Sequence, residues 1–119
     1  LAGKTTTPAP WSNIIANEKF GFLVTESGGG YTWSGNSREN KLTNWCNDPI
    51  GDTPGEILYL RDEETGEVWT TTPNPIRDSS EYSVHHGRGY SRFVHKSHDV
   101  KSVCNNQCSR KIITCNFTI

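Results

Sequence analysis

The chain has 119 residues and a net charge of −1, and 32% of its residues are hydrophobic. That length allows one domain at most. The near-neutral charge argues against a nucleic-acid surface, which is basic, and no apolar run reaches the roughly 18 residues that a membrane span needs. Four Trp in so short a chain still indicate a fold, with a thin core. A piece of a larger domain, or a module that buries surface on a partner, has this composition. The opening Leu1-Ala2-Gly3-Lys4 lacks the apolar centre of a signal peptide, and the chain has no Met. It is therefore expected to be processed or cut from something longer.

In chain order, residues 1–10 (LAGKTTTPAP) read as a linker or edge segment. WSNIIAN, at 11–17, has a short apolar centre. FGFLVT, at 20–25, is rich in strand formers and runs into Gly28-Gly29-Gly30, after which Tyr31-Thr32-Trp33 returns. Two β-rich runs around a glycine turn predict a hairpin. The polar run Ser34 to Asn40 follows, and residues 47–55 (NDPIGDTPG) read as loop. ILYLR (57–61) and EVWTTT (67–72) form a second predicted pair around an acidic turn, and 73–80 is loop. Tyr82–His86 and Tyr90–His95 form a third pair around Gly87-Arg88-Gly89. Strands at intervals of about eight to twelve residues, without a helical period, predict an all-β antiparallel β-sandwich. After His98 the rhythm weakens, although Ile113, Cys115, Phe117 and Ile119 alternate and fit a terminal strand. The expected divisions are thus 1–10, a partial sandwich over 11–100, and a divergent tail over 101–119.

Several chemistries find no support in the residues. Ser34 and Ser37 lie near glycines, but no G-x-S-x-G elbow precedes a helix. The glycine triplet lacks the spacing of a phosphate loop, and no two of the scattered acids are paired for glycoside hydrolysis. His85, His86, His95 and His98 offer a cross-strand facing of His86 with His95 and a close His95/His98 pair, short of a zinc site's three or four convergent ligands. No metal site and no catalytic residue are expected. Cys46, Cys104, Cys108 and Cys115 are unevenly spread and no export signal accompanies them, so free thiols are expected.

The stretch from Glu26 to Asp48 remains. Trp33, Asn36, Arg38, Asn40 and Trp45 combine aromatic faces, which cover the apolar face of a sugar ring, with forked polar groups that match hydroxyls. The same residues also make an ordered corner, with Trp33 in the core and the polar run held by Asn and Ser turns. On the residues alone both readings stand.

WSNIIAN, FGFLVTESGGGYTWSGNSRENKLTNWCNDP, PGEILYLRDEETGEVWTTTPNPIRD and YSVHHGRGYSRFVHKSHDV, in that order, resemble a known domain. They are similar to the N-terminal β-supersandwich (galactose mutarotase-like) domain of the glycosyltransferase family 36 phosphorylases, now glycoside hydrolase family 94. The resemblance is closest to the phosphorylase-like region of bacterial cyclic β-1,2-glucan synthases and runs from about Pro8 to Val100. It implies a parent enzyme that cleaves β-glucosidic bonds with inorganic phosphate as co-substrate, inverts the anomeric carbon and uses no other cofactor. The catalytic Asp of that family lies in a helical barrel that this chain lacks. The resemblance also implies a homodimer, a β-glucan or β-glucoside as ligand, and a cytoplasmic location, with the parent synthase attached to the inner membrane. A substrate-facing role falls on Trp33, Asn36, Arg38 and Asn40. The alternative of another class is a stand-alone, non-catalytic carbohydrate-binding or interaction module.

Overall fold

The computed structural model describes residues 7–48, 50–108 and 111–119. Every regular element among them is a strand. The first sheet holds β1 (Ser12–Ala16), β2 (Phe20–Thr25) and β3 (Gly30–Ser34). A two-stranded sheet pairs β4 (Tyr59–Arg61) with β5 (Val68–Thr70). The third sheet runs in order through β6 (Tyr82–Gly87), β7 (Tyr90–Ser97), β8 (Val100–Cys108) and β9 (Lys111–Thr118). All neighbours are antiparallel. The expected all-β sandwich is what forms.

Alternation builds the core. Phe20, Phe22 and Val24 share one face of β2, and the other face carries Gly21, Leu23 and Thr25. Phe22 and Val24 turn inward with Ile15 and meet Phe93 and Cys104 of the third sheet; Phe20, Val84 and Cys115 pack around them. Polar stitches join the layers. The Asn13 side-chain amide donates to the carbonyls of Gly87 and Tyr90, each at 2.9 Å. Chain reversal at the first hairpin depends on glycine. Gly30 has φ +138°, and a Cβ there would collide with the Leu23 carbonyl.

Three expectations need correction. The β4 strand begins at Tyr59 rather than Ile57; Ile57 and Leu58 line an apolar cleft, with the Leu58 carbonyl accepting the Thr71 amide at 3.5 Å. His86 does not face His95. Pairing of Gly87 with Tyr90 leaves a two-residue turn, and that register sets His86 opposite Ser91 and His95 opposite Tyr82. Nor are the cysteines all free thiols. Cys104 lies opposite Cys115 on adjacent strands with Cα atoms 4.2 Å apart, and the two form a disulfide. Cys46 is free and exposed.

The stretch after His98 is regular. Strands β8 and β9 complete the third sheet, and Ile113, Cys115 and Phe117 line a cleft of about 510 Å³ between the layers. Ile113 and Phe117 remain 49% and 46% exposed, so this end of the core is open.

Candidate functional site

The β2–β3 hairpin carries the candidate loop. Tyr31 and Trp33 are two residues apart on β3 and share the face turned away from the core, opposite Leu23 and Gly21. A side chain at position 21 would strike the Trp33 indole, so the ring lies directly over the glycine backbone. Trp33 is accordingly half-buried. The Tyr31 ring centroid is 5.3 Å from that of Trp33 and 4.9 Å from that of Trp45, in tilted geometry. Lys41 places its ammonium 5.7 Å from the Tyr31 centroid.

After Trp33 the chain makes a self-capped turn. Asn36 Oδ1 accepts the amides of Arg38 at 2.8 Å and Glu39 at 3.0 Å. The Asn40 amide donates to the Asn36 carbonyl at 3.1 Å, and the Asn40 side chain donates to the Ser34 carbonyl at 3.0 Å. Asn36 and Asn40 therefore shape the loop. Arg38 stands at its crest with a side chain 88% exposed, its Nε 3.2 Å from the neighbouring Glu39 carboxylate. An ion pair that exposed contributes about 0–1 kcal/mol, so the guanidinium is readily given to another acceptor. The structure thus places the four residues on one hairpin end, with Trp33 as anchor, Asn36 and Asn40 as turn formers, and Arg38 projecting.

The following loop is clamped onto the same hairpin. Thr25 donates to Asp52 and Thr32 to Glu56. Thr43 Oγ1 accepts the Thr32 amide at 2.9 Å. Asn74 reaches from the far loop to the Gly51 carbonyl at 3.1 Å. Burial pushes the Asp52 carboxyl above its ordinary range, against the Thr25 and Ser27 hydroxyls that favour the charged form; Glu26 and Asp48 add repulsion. Trp45 is brought to Tyr31 by this clamp, which no local sequence signal announces.

The histidines do structural work. His95 Nε2 lies 3.1 Å from Asp78 Oδ2 and Nδ1 lies 3.2 Å from the Glu81 carbonyl, while the ring stacks on Tyr82 at 3.7 Å. His98 stacks on Trp69 at 4.3 Å and meets Glu67 at 3.1 Å, tying β5 to the β7–β8 turn. Among the described residues no three His, Cys, Asp or Glu side chains converge as a metal site would require.

Comparison with known proteins decides the family. A family model described as glycosyl hydrolase 94, supersandwich domain, matches residues 1–109. The chain belongs to this family. It is 44% identical over 95 residues to the cyclic beta-(1,2)-glucan synthase NdvB of Rhizobium meliloti (strain 1021), a stretch that covers 79% of this chain and 3% of the synthase. It is 37% identical over 89 residues to an N,N'-diacetylchitobiose phosphorylase of Vibrio furnissii. The corresponding enzyme of Vibrio proteolyticus is 34% identical over 89 residues. Each phosphorylase match covers 72% of this chain and 11% of the enzyme. The supersandwich chain therefore spans a small fraction of the relatives it resembles. Among its described residues, no helix is long and apolar enough to cross a membrane.

Proposed function

We infer that this supersandwich chain is an N-terminal part of a carbohydrate phosphorylase or cyclic β-glucan synthase-type glycosyltransferase, non-catalytic by itself, that presents the Trp33–Asn40 loop to a β-glucan. The observation that carries the reading is the exposed Arg38 guanidinium, held on a self-capped turn next to an aromatic row. Such a fork holds two sugar hydroxyls, or a phosphate as co-substrate of the parent enzyme, with paired hydrogen bonds. Asn36 and Asn40 fix the turn that aims it. The parent reaction takes place in a separate barrel, in the cytoplasm. The chain also serves as a dimer scaffold. Support for that role comes from the exposed apolar side chains beside the inter-sheet cleft, including Ile113 and Phe117.

Calorimetric titration with sophorose, a β-1,2-linked glucose disaccharide, tests the loop. The intact chain is expected to bind, and Arg38→Ala to bind about tenfold more weakly or worse, the loss of one charged hydrogen-bonding partner. Arg38 is the informative position because its exposed side chain contributes little to folding, whereas Trp33→Ala would also uncover Gly21. Equal affinity of Arg38→Ala and the intact chain would overturn the assignment of the loop.

A further inference from the structure

A second hollow lies on the outward face of the first sheet. It measures about 140 Å³ and is lined by Leu23, Thr25, Trp45, Asp48 and Asp52, among others. Its volume equals roughly five water molecules, the scale of one small ring rather than of a chain. Trp45 is 37% exposed and contributes to this hollow while its ring leans on Tyr31.

The lining determines what fits. Among the described residues that line the hollow there is no Lys, Arg or His to neutralise a phosphate or carboxylate ligand. Its polar side chains include Ser12, Thr25 and Asn47, which donate and accept, and the acceptor carboxylates of Asp48 and Asp52. Asp52 is buried and committed to Thr25, so it serves as wall. Asp48 is exposed, takes the Ile50 amide on Oδ1 at 3.0 Å, and keeps further acceptor capacity on its carboxylate. The hollow therefore suits a neutral ligand with hydroxyl donors on its edge and an apolar face for the indole. A pyranose ring has both.

We propose that the hollow between Trp45 and Asp48 is a separate subsite for one neutral pyranose unit, with the Trp45 indole against the ring face and the Asp48 carboxylate accepting a hydroxyl. The choice of a sugar rests on the function proposed above; the site itself does not use the Arg38 loop. The aromatic row joins the two places, with centroid steps of 5.3 Å from Trp33 to Tyr31 and 4.9 Å from Tyr31 to Trp45. A β-glucan lying along the row reaches both the Arg38 crest and the Trp45 hollow.

The test compares sophorose with a linear β-1,2-glucotetraose, by calorimetry and amide spectra, for the intact chain, Trp45→Ala, Trp45→Phe, Asp48→Asn and Arg38→Ala. Trp45→Ala and Asp48→Asn are expected to weaken the tetraose about tenfold, with Trp45→Phe restoring most of it and unperturbed spectra reporting an intact fold. If Arg38→Ala weakens binding while the Trp45 and Asp48 variants do not, the hollow is no subsite and the loop assignment survives. If the Trp45 and Asp48 variants weaken binding and Arg38→Ala does not, the hollow stands and the loop assignment falls. Absence of saccharide binding in the intact chain overturns both. Glucosamine binding stronger than that of either neutral sugar overturns the pyranose assignment in favour of an ammonium ligand.

Discussion

Replacing Asp78 by Ala is expected to lower the unfolding free energy by about 3 kcal/mol, because it strips a buried ring of its charged partner. The His95 side chain is 1% exposed, with its Nε2 3.1 Å from the Asp78 carboxylate. Its other nitrogen faces the Glu81 carbonyl and its plane is stacked on Tyr82, so the ring cannot turn toward solvent for a substitute. Burial raises the Asp78 carboxyl, but the Ser97 hydroxyl, the Ser80 amide and the His95 ring outweigh it and hold the group below its ordinary value of 3.8. The direction of the pH effect follows. A carboxyl with a depressed folded pKa contributes stability above its unfolded pKa and loses it as pH falls through the folded value. Urea titrations followed by Trp emission should therefore show the full gap between the intact chain and Asp78→Ala at neutral pH. The gap should shrink below about pH 4. Asp78→Asn, which keeps an acceptor without the charge, should fall between the two. A gap below 0.5 kcal/mol at neutral pH, the usual scale for plain surface substitutions, would refute this role for the pair.

Reducing the Cys104–Cys115 disulfide should cost about 3 kcal/mol, from the loop-entropy relation for a bridge across 11 residues. The bridge ties β9 to β8 beside the open cleft, where Ile113 and Phe117 are only half covered. Apolar burial alone therefore holds β9 weakly, and the covalent link carries more of that task than it would in a closed core. For a chain of this length the midpoint of thermal unfolding should drop by roughly 10 °C or more with reductant. The measurement uses a Cys46→Ser, Cys108→Ser background, so that only this pair responds. Identical midpoints with and without reductant would show that the bridge does not support the fold.

The sequence was most legible where a local rule was sufficient. FGFLVT gave β2 with its true ends, because strand propensity and the glycine turn agreed there. The fold class followed from turn spacing in the same way. His86 and His95 do not meet because the hairpin closes at Gly87-Arg88-Gly89. A two-residue turn sets His86 opposite Ser91, and a three-residue turn would set it opposite Tyr90, so neither register brings it to His95. The disulfide was hidden because residues 100–119 contain neither Gly nor Pro to mark a reversal, so nothing set Cys104 opposite Cys115. The same limit applied to the site. The Trp33 to Asn40 run could be recognised as a stretch, but which of its side chains shape the loop depends on closures such as Asn40 onto Ser34. Trp45 reaches Tyr31 through tertiary closures of Thr43, Asp52 and Glu56 onto the first hairpin, which no local pattern marks.

Amide chemical-shift mapping with sophorose tests the central claim, that the Arg38 turn faces a β-glucan. The account predicts saturable shifts in the amides of residues 33–40 and in the Arg38 side-chain Nε resonance, while strands β6 and β7 of the third sheet stay unchanged. Saturable shifts confined to other parts of the chain, or none at all, would contradict it.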